Sequence, residues 1–105
     1  MEEPAAADDS LLAARMRVPE HVVYRDFGDE TVVLNLDTGM YHGLNRTGAL
    51  MVAKLEESST VGEAVDRLVE EAGQPREVVR RDMLGLCREL SERGLIERDD
   101  ASGTS

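Results

Sequence analysis

The sequence predicts an α+β fold in which three short antiparallel strands are followed by three helices. Two observations support this order. Residues 21–44 alternate between apolar and polar as strands do, and residues 46–90 carry apolar side chains spaced three and four apart. Strand patterns that precede helix patterns as a block are typical of α+β domains. A chain of 105 residues has room for one such small domain.

The three predicted strands occupy residues 21–27, 30–36 and 40–44. All three are short and contain the β-branched, aliphatic or aromatic residues that favour strands. Gly28 and Gly39 lie between them, where glycine adopts turn conformations without a Cβ clash. Because an open sheet has unpaired edges, we expect the 40–44 strand to present one, unless the N-terminal segment or a helix covers it.

The first two predicted helices begin at recognisable caps. Asn45 suits the N-cap of a helix over 46–57, because its side chain can accept a hydrogen bond from an amide in the first turn. Thr60 and Glu63 match a capping box, which starts the second helix. That helix should end near Gly73.

The third predicted helix starts at Pro75 and stops at Gly94. Proline suits a first helical turn, because its missing amide hydrogen would have no partner there. Glycine ends a helix well as a left-handed residue, after which Leu95 and Ile96 can fold back onto the helix. Helical spacing predicts one buried stripe on it: Val79, Met83, Leu86 and Leu90.

The ends of the chain differ in composition from its centre. Residues 1–19 are rich in Ala, Asp and Glu and are expected to form a disordered tail, and residues 99–105 are expected to form another. The ordered domain is therefore predicted over 20–98. The N-terminal stretch lacks a basic region followed by a long apolar run, so we expect neither a signal peptide nor a membrane anchor, and a cytoplasmic protein.

The charge balance argues against polyanionic partners. The formal net charge is −10, from 22 acidic and 12 basic residues, so the overall field repels nucleic acid and anionic membranes. No nucleic-acid or membrane contact is therefore predicted. Aromatic residues make up only 3% of the chain, which predicts an aliphatic core and gives each exposed aromatic more weight.

The sequence offers little for catalysis or metal binding. Its one cysteine, Cys87, lies in a helical pattern and is expected to be a buried, inert thiol, as suits a reducing compartment. His21 and His42 match no ligand spacing with it, so no metal site is predicted. We expect no enzymatic activity and no cofactor.

Residues in a particular order and spacing give the chain a resemblance to a known family. The residues that carry it are Gly39, Tyr41, Leu44, Asn45, Thr47, Gly48, Asp82, Leu90, Gly94 and Leu95. Over about residues 20–97 the chain resembles the PqqD-like family, the RiPP recognition elements, and in particular its free-standing members from lasso-peptide biosynthesis. That resemblance implies a winged helix-turn-helix-like fold which binds the leader segment of a ribosomally made precursor peptide.

In the family that the chain resembles, the leader adds as an extra strand to the third strand and lies against the third helix. This implies a site made of edge-strand residues and of one face of the helix. An added strand is held by main-chain hydrogen bonds, and its alternate side chains provide selectivity. The leader-binding residues implied are Met40, Tyr41, His42, Gly43 and Leu44 from the strand, with Arg80, Arg81, Leu84 and Arg88 from the helix.

One strand residue leaves a question of direction. Tyr41 and Leu44 are three apart, so in a regular strand they point to opposite faces and only one of them can enter the core. Tyr41 is therefore equally consistent with the core and with the site at this point.

The resemblance implies an antibiotic-biosynthesis adaptor without catalysis of its own. Its expected partners are the precursor leader, a separate leader peptidase of the cysteine-protease type, and an ATP-dependent macrolactam synthetase. Two alternatives stay open on the same fold: a PqqD-type peptide chaperone for a radical SAM or other tailoring enzyme, and a winged-helix DNA-binding regulator. The third helix carries arginines but nearly as many acidic residues, which disfavours phosphate contacts.

Overall fold

The computed structural model describes residues 10–99. Strands precede helices as predicted, with one addition, a pair of two-residue strands near the ends of the described range. Residues 10–12 also form a helical turn. The α+β prediction is thus confirmed. The strands are β1 (Met16–Arg17), β2 (Val22–Asp26), β3 (Thr31–Asn35), β4 (Tyr41–Leu44) and β5 (Glu97–Arg98), and the helices are α1 (Arg46–Glu57), α2 (Val61–Ala72) and α3 (Arg76–Glu92).

The main sheet has the antiparallel order β2-β3-β4 and separates an inner from an outer face. In its register Val33 lies opposite Tyr24 on one side and His42 on the other. The inner face enters the core, since Val33 and Leu44 are only 1% and 2% exposed. Residues of the opposite parity form the outer face, so Tyr41 points away from the core and is 65% exposed. This answers the question of its direction.

Local signals place the starts of α1 and α2. The Asn45 side chain accepts a 2.8 Å hydrogen bond from the Gly48 amide, as an N-cap does. Thr60 Oγ1 accepts one of 3.1 Å from the Glu63 amide, and the Glu63 carboxylate accepts one of 2.8 Å from the Ser59 amide. Both predicted caps are confirmed, although Glu63 reaches the residue before the cap and not the cap itself.

The end of α3 has the predicted glycine stop. Gly94 is left-handed, with φ of 71°. The Leu95 amide donates to the Leu90 carbonyl at 2.9 Å and the Gly94 amide donates to the Ser91 carbonyl at 3.0 Å, the two bonds of a Schellman motif. The chain therefore turns sharply, and Leu95 and Ile96 become buried.

A second, smaller sheet pairs β1 with β5. Ala14 and Met16 are buried in the core, and the Ala14 carbonyl accepts a 2.9 Å hydrogen bond from the Val61 amide at the start of α2. The expected disordered tail over 1–19 is therefore corrected for residues 10–19, because these apolar side chains and backbone groups have partners in the domain. Residues 1–9 and 100–105 lie outside the described range.

Asn35 connects the β3–β4 hairpin to the end of α3. Its buried side chain donates a 3.0 Å hydrogen bond to the Gly94 carbonyl and accepts bonds of 2.8 and 3.1 Å from the Asp37 and Thr38 amides. The Asn35 side-chain amide thus supplies hydrogen-bond partners for the β3–β4 turn and joins that turn to Gly94 at the end of α3.

None of the helices within residues 10–99 is long and apolar enough to cross a membrane.

Candidate functional site

The outer edge of β4 presents backbone hydrogen-bonding groups to solvent. The Asn35 amide donates to the Met40 carbonyl at 2.9 Å, which makes this pair, and every second pair after it, hydrogen-bonded to β3. His42 and Leu44 thus face β3, whereas Tyr41 and Gly43 direct their N–H and C=O groups outward. No strand within the described range pairs with this edge.

A cleft of about 390 Å³ begins where β4 ends. It lies between the first turns of α1 and the middle of α3, and the residue that follows β4, Asn45, forms part of its wall. The N-cap at Asn45 ends the strand and starts the helix, so the open edge leads directly into the cleft. Its lining residues are Asn45, Thr47, Gly48, Met51, Arg81, Asp82, Gly85, Leu86 and Glu89.

Gly85 lies in the interior of α3 and on the wall of the cleft. Glycine destabilises a helix interior by about 0.5–1 kcal/mol relative to alanine. A Cβ placed at Gly85 would meet no atom within 4 Å from elsewhere in residues 10–99, so internal packing does not require glycine there. The absent side chain instead widens the cleft.

The cleft contains both charges and apolar surface. Arg81 and Asp82 expose 75% and 51% of their side chains, and Arg81 Nε lies 3.9 Å from Asp82 Oδ1. Glu89 also interacts with Arg93, at 3.8 Å. Because both ion pairs are exposed, each contributes little energy. The charged groups of Arg81, Asp82 and Glu89 can therefore exchange these partners for charges on another molecule.

A second concavity, of about 290 Å³, shares Thr47, Met51 and Asp82 with the cleft. It extends toward the N-terminal end of α3 and is lined mainly by aliphatic side chains, among them Leu50 and Val79. The apolar surface available beside α3 is therefore longer than the cleft alone.

The structure separates the predicted helix residues. Arg81 lines the cleft. Leu84 does not, because its side chain is 2% exposed and packs in the core; its predicted place in the site is corrected. Arg80 is half-buried and Arg88 exposed, and neither belongs to the cleft wall; both have polar or electrostatic interactions of their own.

The predicted stripe of α3 is rotated relative to the observed one. At about 100° per residue, Leu84 lies roughly 140° from Val79 and Leu86 roughly 20° from it on the other side. The centre of the buried side is Cys87, which contacts the core, so Leu84 is buried and Leu86 is half-exposed at the cleft. The predicted roles of the two leucines are therefore exchanged.

The predicted strand residues divide by parity. Leu44 is buried in the core, and His42 is half-buried on the same inner side. Met40, Tyr41 and Gly43 are exposed, Met40 in the turn before β4. The Leu44 side chain is buried and its backbone groups face β3, so its predicted place among the leader-binding residues is corrected.

Most cleft residues lie outside the predicted site. The sequence signal for this cleft was indirect. Gly85 interrupts a helical pattern, which suggests a packing or functional reason for glycine there. The outward direction of Leu86 depends on packing. The cleft residues that were not predicted are Asn45, Thr47, Gly48, Met51, Asp82, Gly85, Leu86 and Glu89.

The described residues include neither an exposed thiol nor a cluster of metal ligands. Cys87 is fully buried, and burial raises the pKa of its thiol to about 12, so the reactive thiolate is absent near neutral pH. The predicted burial of this thiol is confirmed. Within residues 10–99 no three His, Cys, Asp or Glu side chains come together as metal ligands would.

Comparisons with known proteins agree with this picture. The family model described as Coenzyme PQQ synthesis protein D (PqqD) matches residues 30–96. A solved structure of TbiB1 in complex with the TbiA(beta) leader peptide is 34% identical, with a TM-score of 0.67 over 77% of this chain and 94% of that one. Another, of lasso peptide synthetase B1 complexed with the leader peptide, is 26% identical, with a TM-score of 0.69 over 80% and 99%.

A search of curated proteins finds no match. The family model nevertheless covers well over half of the chain, and the two solved relatives reproduce its fold over most of its length. The resemblance inferred from the sequence is thereby confirmed, and the chain belongs to the PqqD family as a PqqD-like RiPP recognition element.

Proposed function

We propose that this chain is a non-catalytic adaptor that binds the leader segment of a ribosomally made precursor peptide in lasso-peptide biosynthesis. The observation that carries the proposal is the open edge of β4 beside the cleft. Tyr41 and Gly43 direct unpaired backbone groups outward there, and α3 forms the wall beyond them. Both solved relatives are complexes with a leader peptide, which supports the same reading.

The leader would add to β4 as a fourth strand. Its backbone would bond to the outward groups of Tyr41 and Gly43, which provides affinity that depends little on sequence. Its alternate side chains would point inward toward the cleft, where Met51 and Leu86 offer apolar contacts and Arg81 a cation. Arg80 and Arg88, which lie outside the cleft wall, remain predicted contacts for acidic leader residues.

The open edge of β2 is a weaker candidate for strand addition. Its outward backbone groups belong to Val22, Tyr24 and Asp26, since the Phe27 amide donates to the Glu30 carbonyl and sets the alternation. The residues that line the cleft come from α1 and α3 and follow β4, not β2. A strand on β2 would therefore gain main-chain bonds without that side-chain selectivity.

The adaptor would raise the local concentration of the precursor near an enzyme and would not catalyse a reaction itself. A leader held on β4 keeps its core peptide near an enzyme that binds the same adaptor, which raises the effective concentration of substrate. We propose that this enzyme is a separate leader peptidase in the cytoplasm, where precursors are made, with a macrolactam synthetase acting on the released core. The buried thiol of Cys87 makes this chain itself an unsuitable nucleophile.

Calorimetry with synthetic leader peptides tests the proposal. We expect binding by the wild-type chain, and at least a tenfold weaker affinity in Gly43→Pro, because proline removes an outward N–H from the edge. The β3 ladder is retained, since the Gly43 amide does not bond to β3. Asp26→Pro, which places proline at an outward position of the β2 edge, is the matched control and should leave affinity unchanged.

The result that overturns the proposal is equal leader affinity in wild type and Gly43→Pro, with both folded by circular dichroism. If Asp26→Pro weakens binding and Gly43→Pro does not, the leader adds to β2 instead.

The family match favours a second candidate, a PqqD-type chaperone for a tailoring enzyme that modifies a different precursor. The two candidates share the site and differ in the peptide that fills it. Parallel titration with leaders of lasso-peptide precursors and of quinone-cofactor precursors separates them. Tighter binding of the second class would replace the lasso-peptide assignment while leaving the adaptor role intact.

A further inference from the structure

We propose that Glu30 selects a basic side chain in the guest strand, at the position beside Gly43 that faces outward. The inference rests on the proposed function and adds a charge preference on the side opposite the cleft. No residue of the predicted site supplies this preference.

The position of Glu30 follows from the register of the sheet. Thr31 pairs with Leu44 and Val32 with Gly43, so Glu30 and Gly43 are diagonal neighbours. Both belong to the outer face, by the parity that places Leu34 and Tyr41 there. The Glu30 side chain therefore starts beside β3 and extends to β4, the edge strand of the sheet.

The glycine makes this reach possible. The Glu30 side chain occupies the space that a Cβ of Gly43 would need: its Cδ lies 3.3 Å from that position, and its Oε2 lies closer still. An edge residue with a side chain would displace the carboxylate. With glycine there, the carboxylate lies over the outermost strand, where a guest strand would arrive.

A guest strand would bring its own side chains to this carboxylate. Residues directly opposite on neighbouring strands have Cβ atoms about 4.5–5.5 Å apart, so the outward guest residue beside Gly43 would lie within reach of the Glu30 carboxylate. Lysine or arginine there would form an exposed ion pair, and an acidic residue would be repelled. The inward neighbours would instead meet the cleft, where the Arg81 cation lies beside the Asp82 carboxylate.

Arg25, which belongs to β2 and lies opposite Val32 in β3, is a further charge on the outer face. Counted from the guest, Arg25 belongs to the third strand, whereas Glu30 leads into the second and its carboxylate lies over the first. The nearer carboxylate should therefore dominate the preference at the edge. The net charge of −10 adds a general attraction for cations that does not depend on position.

A charge-exchange experiment tests the proposal. The probe is the synthetic leader that binds best in the calorimetry above, prepared as a scan in which each residue is replaced by lysine and, separately, by glutamate. Wild type should prefer lysine to glutamate by about two- to fivefold at one outward position, and Glu30→Lys should reverse the order there. The difference should shrink in high salt, because exposed pairs are screened.

Glu70→Lys is the matched control, since it makes the same change in net charge on an exposed position of α2 outside the cleft. It should lower the affinity for all lysine-bearing leaders equally, without a positional effect. If Glu30→Lys behaves like Glu70→Lys at every position, Glu30 does not contact the guest and the inference fails.

Failure of the proposed function gives a different result. In that case no leader binds either wild type or Glu30→Lys, and there is no scan to compare. A leader that binds, and loses affinity in Gly43→Pro, but shows no reversal with Glu30→Lys, supports strand addition and overturns only the charge preference.

Discussion

The two sides of α3 differ in what they do for the molecule. One side carries Met83, Leu84 and Cys87, each at most 2% exposed, and holds the helix in the core. The other carries Arg81 and Gly85, whose surroundings are open. The first side stabilises the fold, and the second is available to a partner. Substitutions on the two sides should therefore change different measurements.

Leu84→Ala should have the largest effect, and on stability alone. Truncation of a buried leucine removes apolar contacts and leaves a cavity, which lowers the free energy of unfolding by about 2–5 kcal/mol. Urea denaturation measures the loss. Leader affinity, corrected for the folded fraction, should stay at the wild-type value, and a tenfold weaker affinity in fully folded protein would show that Leu84 contacts the guest after all.

High pH should lower the free energy of unfolding through the buried thiol of Cys87. Burial raises the pKa of this thiol from 9.0 to about 12. Between these values the unfolded chain loses the thiol proton and the folded chain keeps it, so the free energy of unfolding falls by up to about 1.4 kcal/mol per pH unit. Below about pH 9 the thiol has no such effect.

Cys87→Ala tests that assignment, because it lacks the thiol and its own cavity loss does not depend on pH. Denaturation from about pH 8 to about pH 11 should give a shallower slope for the variant. The pKa of Tyr24 is also raised, by burial and by the Glu56 carboxylate, and its contribution is common to both proteins. Identical slopes would assign the pH dependence to groups other than Cys87.

Gly85 should show opposite effects on stability and binding. Gly85→Ala should raise the free energy of unfolding by about 0.5–1 kcal/mol, because alanine favours the helix and its Cβ meets open space. Gly85→Leu should also fold, and should weaken leader binding by about tenfold by filling the cleft. Ser91→Leu, exposed on the same helix outside the cleft wall, should bind normally. Normal binding by Gly85→Leu would mean that the leader does not enter the cleft.

Arg81→Glu should have the smallest effect, confined to leaders that carry acidic residues. An exposed ion pair contributes about 0.2–1 kcal/mol, so affinity should fall by a few fold and stability by less than about 0.5 kcal/mol. Because Arg81 lines the cleft and Arg88 does not, Arg88→Glu should weaken the same leader less. An equal loss in both variants would mean that the leader follows α3 beyond the cleft.

The sequence predictions succeeded where the interactions are local in the chain and failed where they join distant residues. The start of α1 was predicted correctly, because Asn45 and the Gly48 amide that it caps are three residues apart. The β1–β5 pair was missed, because two-residue strands have no detectable period and their pairing joins distant parts of the chain. For the site, the open β4 edge was predicted and most of the cleft wall was not.

The sequence by itself determined the order of strands and helices, the caps and the glycine stop at Gly94, since each depends on residues within about one helical turn. It also determined the family. Only the tertiary structure decided that Leu84 enters the core while Leu86 faces the cleft, and that Tyr41 points outward. Helical and strand periods fix which residues share a side, but the element that packs against that side comes from elsewhere in the chain.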